Sequence, residues 1–151
     1  MKTNEDGFTL IETLLILMIT SSLLLFSVLK INETIETVQI DLFFRELTSK
    51  ITQLQTHALM TGESTEVKVV PGEELISFRI FEEGKEDHVL NEAWIVDSPY
   101  YEIASYGSRQ FIFKGGSGNI TGSDKIIFNT TKGRYEVVYL MGSGRFDVRK
   151  R

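Results

Sequence analysis

The sequence predicts an α+β protein: one long N-terminal helix followed by a small antiparallel β-sheet domain. Three observations predict it. From Phe8 to Thr61 there is neither glycine nor proline. After Gly62 the apolar residues change from steps of three or four to steps of two. The apolar runs beyond that point are separated by turns that contain glycine.

The helix is expected in two halves. The run from Phe8 to Leu29 counts 22 residues, against the roughly 20 needed to cross hydrocarbon. A secretory signal would have a shorter apolar core and a small-residue cleavage site after it. Glu12 is the run's one ionisable residue. A charge at bilayer depth costs about 2.5 kcal/mol or more, so a carboxylate there points to function.

Past Lys30, the residues Ile31, Ile35, Val38, Leu42, Leu47, Ile51, Leu54 and Ala58 recur mostly at steps of three or four. They predict an amphipathic half, 30–62, that buries one stripe on the β-domain. The step from Leu42 to Leu47 breaks a heptad and argues against a coiled coil. Phe43 and Phe44 place bulk at that break, which suits packing on a sheet. Gly62 serves as the C-cap. Both halves together make a helix roughly 80 Å long at about 1.5 Å per residue.

The β-domain, 63–151, begins with a hairpin. Glu66 to Val70 and Leu75 to Phe81 flank a Pro71-Gly72 turn. Glu82 to Asp87 forms an acidic turn, and Val89-Leu90 and Trp94 to Val96 are short strands. Gln110 to Phe113, Lys125 to Asn129, Arg134 to Leu140 and Arg145 to Val148 complete the set. Tight turns at Lys132-Gly133 and Met141 to Gly144 make the last three an antiparallel meander. The helix is expected across one sheet face.

Composition excludes several classes. The chain has 151 residues, no cysteine and two histidines. Disulfides, thiol nucleophiles, cysteine-based metal sites and histidine-rich metal sites are therefore not expected. No phosphate loop or nucleophile motif is found, and neither an enzymatic activity nor a cofactor is expected. Ser117 among Gly115, Gly116 and Gly118 lacks the strand-to-helix context of a nucleophile elbow. Asn119 and Asp124 offer too few oxygens for Ca²⁺. His57 and Trp94 are expected to be packing residues.

Charge is unevenly distributed. Residues 62–97 hold three basic residues against ten acids, and residues 98–151 hold nine against four. Arg145, Arg149, Lys150 and Arg151 close the chain as a basic edge that could contact DNA phosphates. Complementarity between subunits explains the same charges better, because the aromatic interleaving of single-strand binders is missing. A charged edge also discourages unwanted strand pairing.

The N-terminal motif resembles the type IV prepilin and pseudopilin signature, with Gly7, then Phe8, then Glu12 four positions on. The tail is similar to minor pseudopilins of the GspH kind in its strand at Ile126 to Asn129, its Gly133 turn, its strand at Tyr135 to Leu140 and its Gly142-Ser143-Gly144-Arg145 turn. The stretch from Tyr139 to Lys150 is particularly similar to competence pseudopilins of transforming Gram-positive bacteria. The resemblance covers both ends; from Glu63 to Ser108 it rests on strand order.

The resemblance implies a pilin-like fold and a structural role in DNA uptake. It implies a leader, 1–7, removed by a prepilin peptidase between Gly7 and Phe8, with N-methylation of Phe8. Glu12 would neutralise the terminal ammonium of a neighbouring subunit during assembly. Implied partners are the major and other minor pseudopilins, an assembly ATPase and a polytopic membrane platform. A minor subunit of a type II secretion pseudopilus or a type IV pilus has the same physics with another cargo.

The chain departs from the family in its leader, where Lys2 faces Glu5 and Asp6 instead of a basic run. Lys2 favours a cytoplasmic N-terminus, but Lys30 flanks the other end. An outward C-terminal domain, at the cell surface after assembly, therefore follows mainly from the resemblance.

Overall fold

The computed structural model describes residues 9–81, 88–140 and 144–151. Among these, helix α1 spans Leu10–Thr61, followed by β1 Thr65–Val70, β2 Leu75–Ile80, β3 Glu92–Ile95, β4 Tyr101–Ile103 and β5 Arg109–Phe113. Then come β6 Ile120–Gly122, β7 Lys125–Thr130, β8 Gly133–Leu140 and β9 Arg145–Lys150. The chain divides into two compact units, Met1–Val38 and Gln39–Arg151.

In the first unit the helix is long and apolar enough to cross a membrane. Its most apolar 18-residue window has a mean hydropathy of 2.3, and none of that window is buried. Three hydroxyls within the run bond to carbonyls of the helix itself. Thr13 Oγ1 donates to the Leu10 carbonyl at 2.8 Å, Thr20 Oγ1 to Ile16 at 2.9 Å and Ser22 Oγ to Met18 at 2.9 Å. Such back-bonding lets polar side chains sit where no water is available.

In the second unit the helix residues Ile40, Phe43, Phe44, Leu47, Ile51, Leu54 and Ala58 are buried. This departs from the single stripe expected from Ile31 to Ala58, because Leu42 is exposed. The physical reason lies in the five-residue step from Leu42 to Leu47. At 3.6 residues per turn it rotates the apolar direction by about 140°. Leu42 therefore faces away from the buried side of α1.

The strands form two sheets where one was expected. The first has order β3-β2-β1-β5-β6 and the second β4-β7-β8-β9, and every pairing is antiparallel. The predicted hairpin is present, joined by a 3-10 turn at Pro71–Glu73. Val89 and Leu90 form a turn instead of a strand. The short strands β4 and β6 carry too few residues for alternation to reveal them. The expected turn at 82–87 lies outside the described residues, as do three of the four residues of the turn expected at Met141 to Gly144.

Aromatic rings tie the helix to the second sheet. Phe43 stacks on Tyr101 with centroids 4.2 Å apart, and Phe44 on Tyr135 at 4.6 Å. Both meet Phe128 edge-on. Val67, Val69, Ile76, Phe78, Phe111, Phe113, Ile126 and Val137 complete the core with no exposed surface. Each such side chain contributes roughly 1.5–3 kcal/mol. Trp94 packs edge-on against Phe78 at 4.8 Å, as expected of a packing residue.

The helix ends at Gly62, whose φ of 78° is left-handed, the conformation a C-cap requires. The glycine-rich stretch then finds its purpose. Gly116 N–H donates to the Ala58 carbonyl at 2.8 Å, satisfying a group the last helical turn leaves unpaired. A Cβ on Gly115 would lie 1.8 Å from the Gly62 carbonyl oxygen, so only glycine permits this approach. Ser117 Oγ accepts from Asn119 N–H at 3.3 Å in a local turn.

Lys50, 8% exposed, reaches Glu92 on β3 at 2.6 Å. Hydrogen bonds from Lys50 and Trp94 hold the Glu92 carboxyl below its ordinary value of 4.5. A carboxyl lowered by folding adds stability above that ordinary value and loses it as pH falls through the lowered one. Lys50→Met should therefore flatten the acid limb of stability measured by urea denaturation between about pH 5 and pH 3.

Tyr139 is buried between Phe111 and Phe146, and its Oη has no hydrogen-bond partner among the described residues. Burial pushes its hydroxyl pKa up. Tyr139→Phe removes an unsatisfied polar group, so urea denaturation should show stability unchanged or raised by up to about 1 kcal/mol.

Candidate functional site

Two candidate regions follow from the sequence, one in each unit. Gly7 and Phe8, the expected processing residues, lie outside the described residues. Glu12 is described, in the first turn of α1. Its backbone N–H donates to the Thr9 carbonyl at 3.1 Å and to Thr9 Oγ1 at 3.3 Å. Thr9 is therefore the N-cap, with Glu12 at the third helical position.

The sequence reading missed Thr9, although its signal is present. Thr9-Leu10-Ile11-Glu12 has the capping-box pattern of a hydroxyl residue, two spacers and an acid before an apolar run. A carboxylate there also meets the positive end of the helix dipole. Helix physics thus accounts for an acid in the first turn. It does not account for one at the head of an apolar segment, and among the described residues no side chain pairs with the Glu12 carboxylate.

The second region is the basic tail. Arg145, Arg149 and Lys150 lie on β9, and Arg151 follows directly. Side chains alternate along a strand, so Arg145, Asp147, Arg149 and Arg151 share one face. Arg149 Nε lies 2.9 Å from Asp147 Oδ2. Arg151 Nε lies 3.3 Å from Glu136 Oε2, and Arg134 Nε 3.6 Å from Glu136 Oε1. Lys150 Nζ sits 5.8 Å from the centre of the Tyr135 ring.

The tail is thus an interleaved array of cations and carboxylates, with Asp147 and Glu136 among the arginines. That arrangement does not favour a run of phosphates, which would meet the carboxylates as well. Glu136 was missed because its role depends on the pairing of β8 with β9. Register places Glu136 opposite Arg149, which no linear spacing reveals.

His57 Nε2 lies 3.0 Å from Glu63 Oε2, and the His57 ring meets His88 at 5.2 Å. Among the described residues no three His, Asp or Glu side chains are grouped to hold a metal ion. Compared with known protein families, with curated proteins and with solved structures, the chain matches none.

The Glu136 side chain is 4% exposed, whereas Arg134 and Arg151 are 51% and 70% exposed. Stranding the buried carboxylate should cost more than stranding two hydrated guanidinium groups. The double variant Arg134→Ala/Arg151→Ala should lose about 3 kcal/mol in urea denaturation, and Glu136→Gln about 1 kcal/mol or less.

Proposed function

We propose that this chain is a minor pseudopilin of a competence system, a structural subunit of a type IV pilus-like machine for DNA uptake and not an enzyme. The observation that carries this reading is Glu12. It stands at the start of an unburied apolar segment that crosses hydrocarbon by length, and the residues before it match the prepilin signature. In hydrocarbon an opposite charge is nearly the only partner that makes an ionised carboxylate tolerable. A new amine on Phe8 of an adjoining subunit, exposed by cleavage after Gly7, is such a charge.

Before cleavage the protein is a single-pass membrane protein with its N-terminus cytoplasmic and its C-terminal domain outside. The prepilin peptidase cuts and methylates it, and it joins the major and other minor pseudopilins through its helix. The assembly ATPase and the polytopic platform supply the work. The exposed apolar residues Ile31, Ile35, Val38 and Leu42 support this reading. They recur at helical steps beyond the membrane run, where an isolated anchored protein would gain nothing from them.

Expression with the peptidase should yield a mature protein beginning at Phe8, read by N-terminal sequencing. Glu12→Val should insert and be cleaved, yet lose incorporation into filaments and transformation by at least about tenfold. Retention of Met1, or normal assembly by Glu12→Val, would overturn the proposal. Deleting the gene and scoring DNA uptake against protein secretion separates a competence subunit from a secretion or pilus subunit.

A further inference from the structure

Among the described residues, Glu74 is the one non-glycine residue with a positive φ. It stands at φ 47° and ψ 41°, directly before β2, at the end of the 3-10 turn Pro71–Glu73. A side chain there crowds the backbone, and the left-handed region belongs to glycine by default. Strain of this kind persists only where the surroundings over-determine it. A turn alone needs no carboxylate, and glycine would serve it with less strain.

The contacts of Glu74 show what holds it. Its N–H donates to the Pro71 carbonyl at 3.2 Å, and its carbonyl accepts from Val96 N–H at 2.7 Å. The second bond carries the ladder between β2 and β3 one pair beyond Leu75 and Ile95. Its carboxylate reaches the other sheet, where Oε2 accepts from Ile103 N–H at 3.1 Å. Ala104 N–H donates to the Ile127 carbonyl and Thr131 N–H to the Tyr100 carbonyl. Bonded and non-bonded pairs alternate in an antiparallel ladder, so the Ile103 amide points away from β7.

One residue thus grips both ends of the crossover from β3 to β4, Val96 by its carbonyl and Ile103 by its carboxylate. Both gripped residues are buried, where an amide without a partner is costly. Between them lies Tyr101, whose ring stacks on Phe43 of α1 with centroids 4.2 Å apart. The crossover is a strap that runs from the first sheet to the aromatic seat of the helix.

We propose that Glu74 is a clasp on the strap 96–103, its carboxylate fixing the far end and so coupling the first sheet to the seat of α1. The left-handed backbone sends the carbonyl to Val96 and the side chain to Ile103 from a single position. A bond from a backbone N–H to a carboxylate is of the stronger, charge-assisted kind. The clasp lies wholly in the second unit and is independent of the fate of the N-terminal helix.

The test uses the full chain in detergent and amide hydrogen exchange followed by NMR, read as the ratio of protection at Ile103 to that at Val96. A change in overall stability moves both amides alike and leaves the ratio unaltered. Glu74→Gly relaxes the backbone, keeps the carbonyl and removes the carboxylate, and the ratio should fall at least about tenfold. Glu74→Asn tolerates the left-handed conformation but draws the side-chain oxygen back by about 1.5 Å. It should lower the ratio in the same way, and it serves if the glycine variant does not fold. Glu74→Gln keeps an acceptor at full reach and should hold the ratio within about threefold of the unaltered chain. An unchanged ratio in Glu74→Gly or Glu74→Asn would make Glu74 a turn residue only and overturn the proposal. A fall in Glu74→Gln as deep as that in Glu74→Gly would also overturn it, because the side-chain acceptor would not be what protects Ile103.

Discussion

The second unit depends on one constraint: a single helical face, Ile40 to Ala58, must be kept dry by two sheets. Neither sheet closes on itself, and each contributes aromatic or β-branched side chains to that face. Phe43 and Phe44 engage Tyr101, Phe128 and Tyr135 of the second sheet. Thr65 of the first sheet donates its hydroxyl to the Leu54 carbonyl at 3.1 Å. Lys50 adds an ion pair to β3 on its flank. These polar contacts fix the helix in register, while apolar burial supplies the larger free energy.

The same constraint explains what α1 leaves exposed. A helix has room for more than one apolar stripe, and only one can face the sheets. Within the second unit Leu42 stands away from the buried side and is exposed. The side chains that would be wasted on a monomer are those a neighbouring helix could cover. Glu12 follows the same logic at the other end of the first unit. Its capping bond explains its backbone, and the proposed function would supply a partner for its charge.

Much of this architecture was legible in the chain. The absence of glycine and proline between Phe8 and Thr61 marked the helix, and Gly62 marked its end. The hairpin at β1 and β2 and the meander of β7, β8 and β9 followed from alternation and turn residues. Periodicity failed where it had too little material: β4 and β6 have three residues each, and Val89-Leu90 showed only two apolar neighbours. It also placed Leu42 on the buried stripe, because a single step of five is a small defect in a list of threes and fours.

Within the candidate regions, the residue types were visible and their relations were not. Glu12 and the closing basic residues stood out by position and charge. Thr9 carried a capping signal that the reading passed over. Glu136 carried none, because the carboxylate gains its meaning from Arg134 beside it and Arg151 across the ladder. By itself, the sequence determined the helix, the longer strands, the membrane-compatible run and the Gly62 cap, since these depend on residues within a turn or two of one another. Only the tertiary structure decided which helix side chains are buried and how the described strands divide between two sheets. Those outcomes depend on contacts between residues distant along the chain, where linear spacing carries no information.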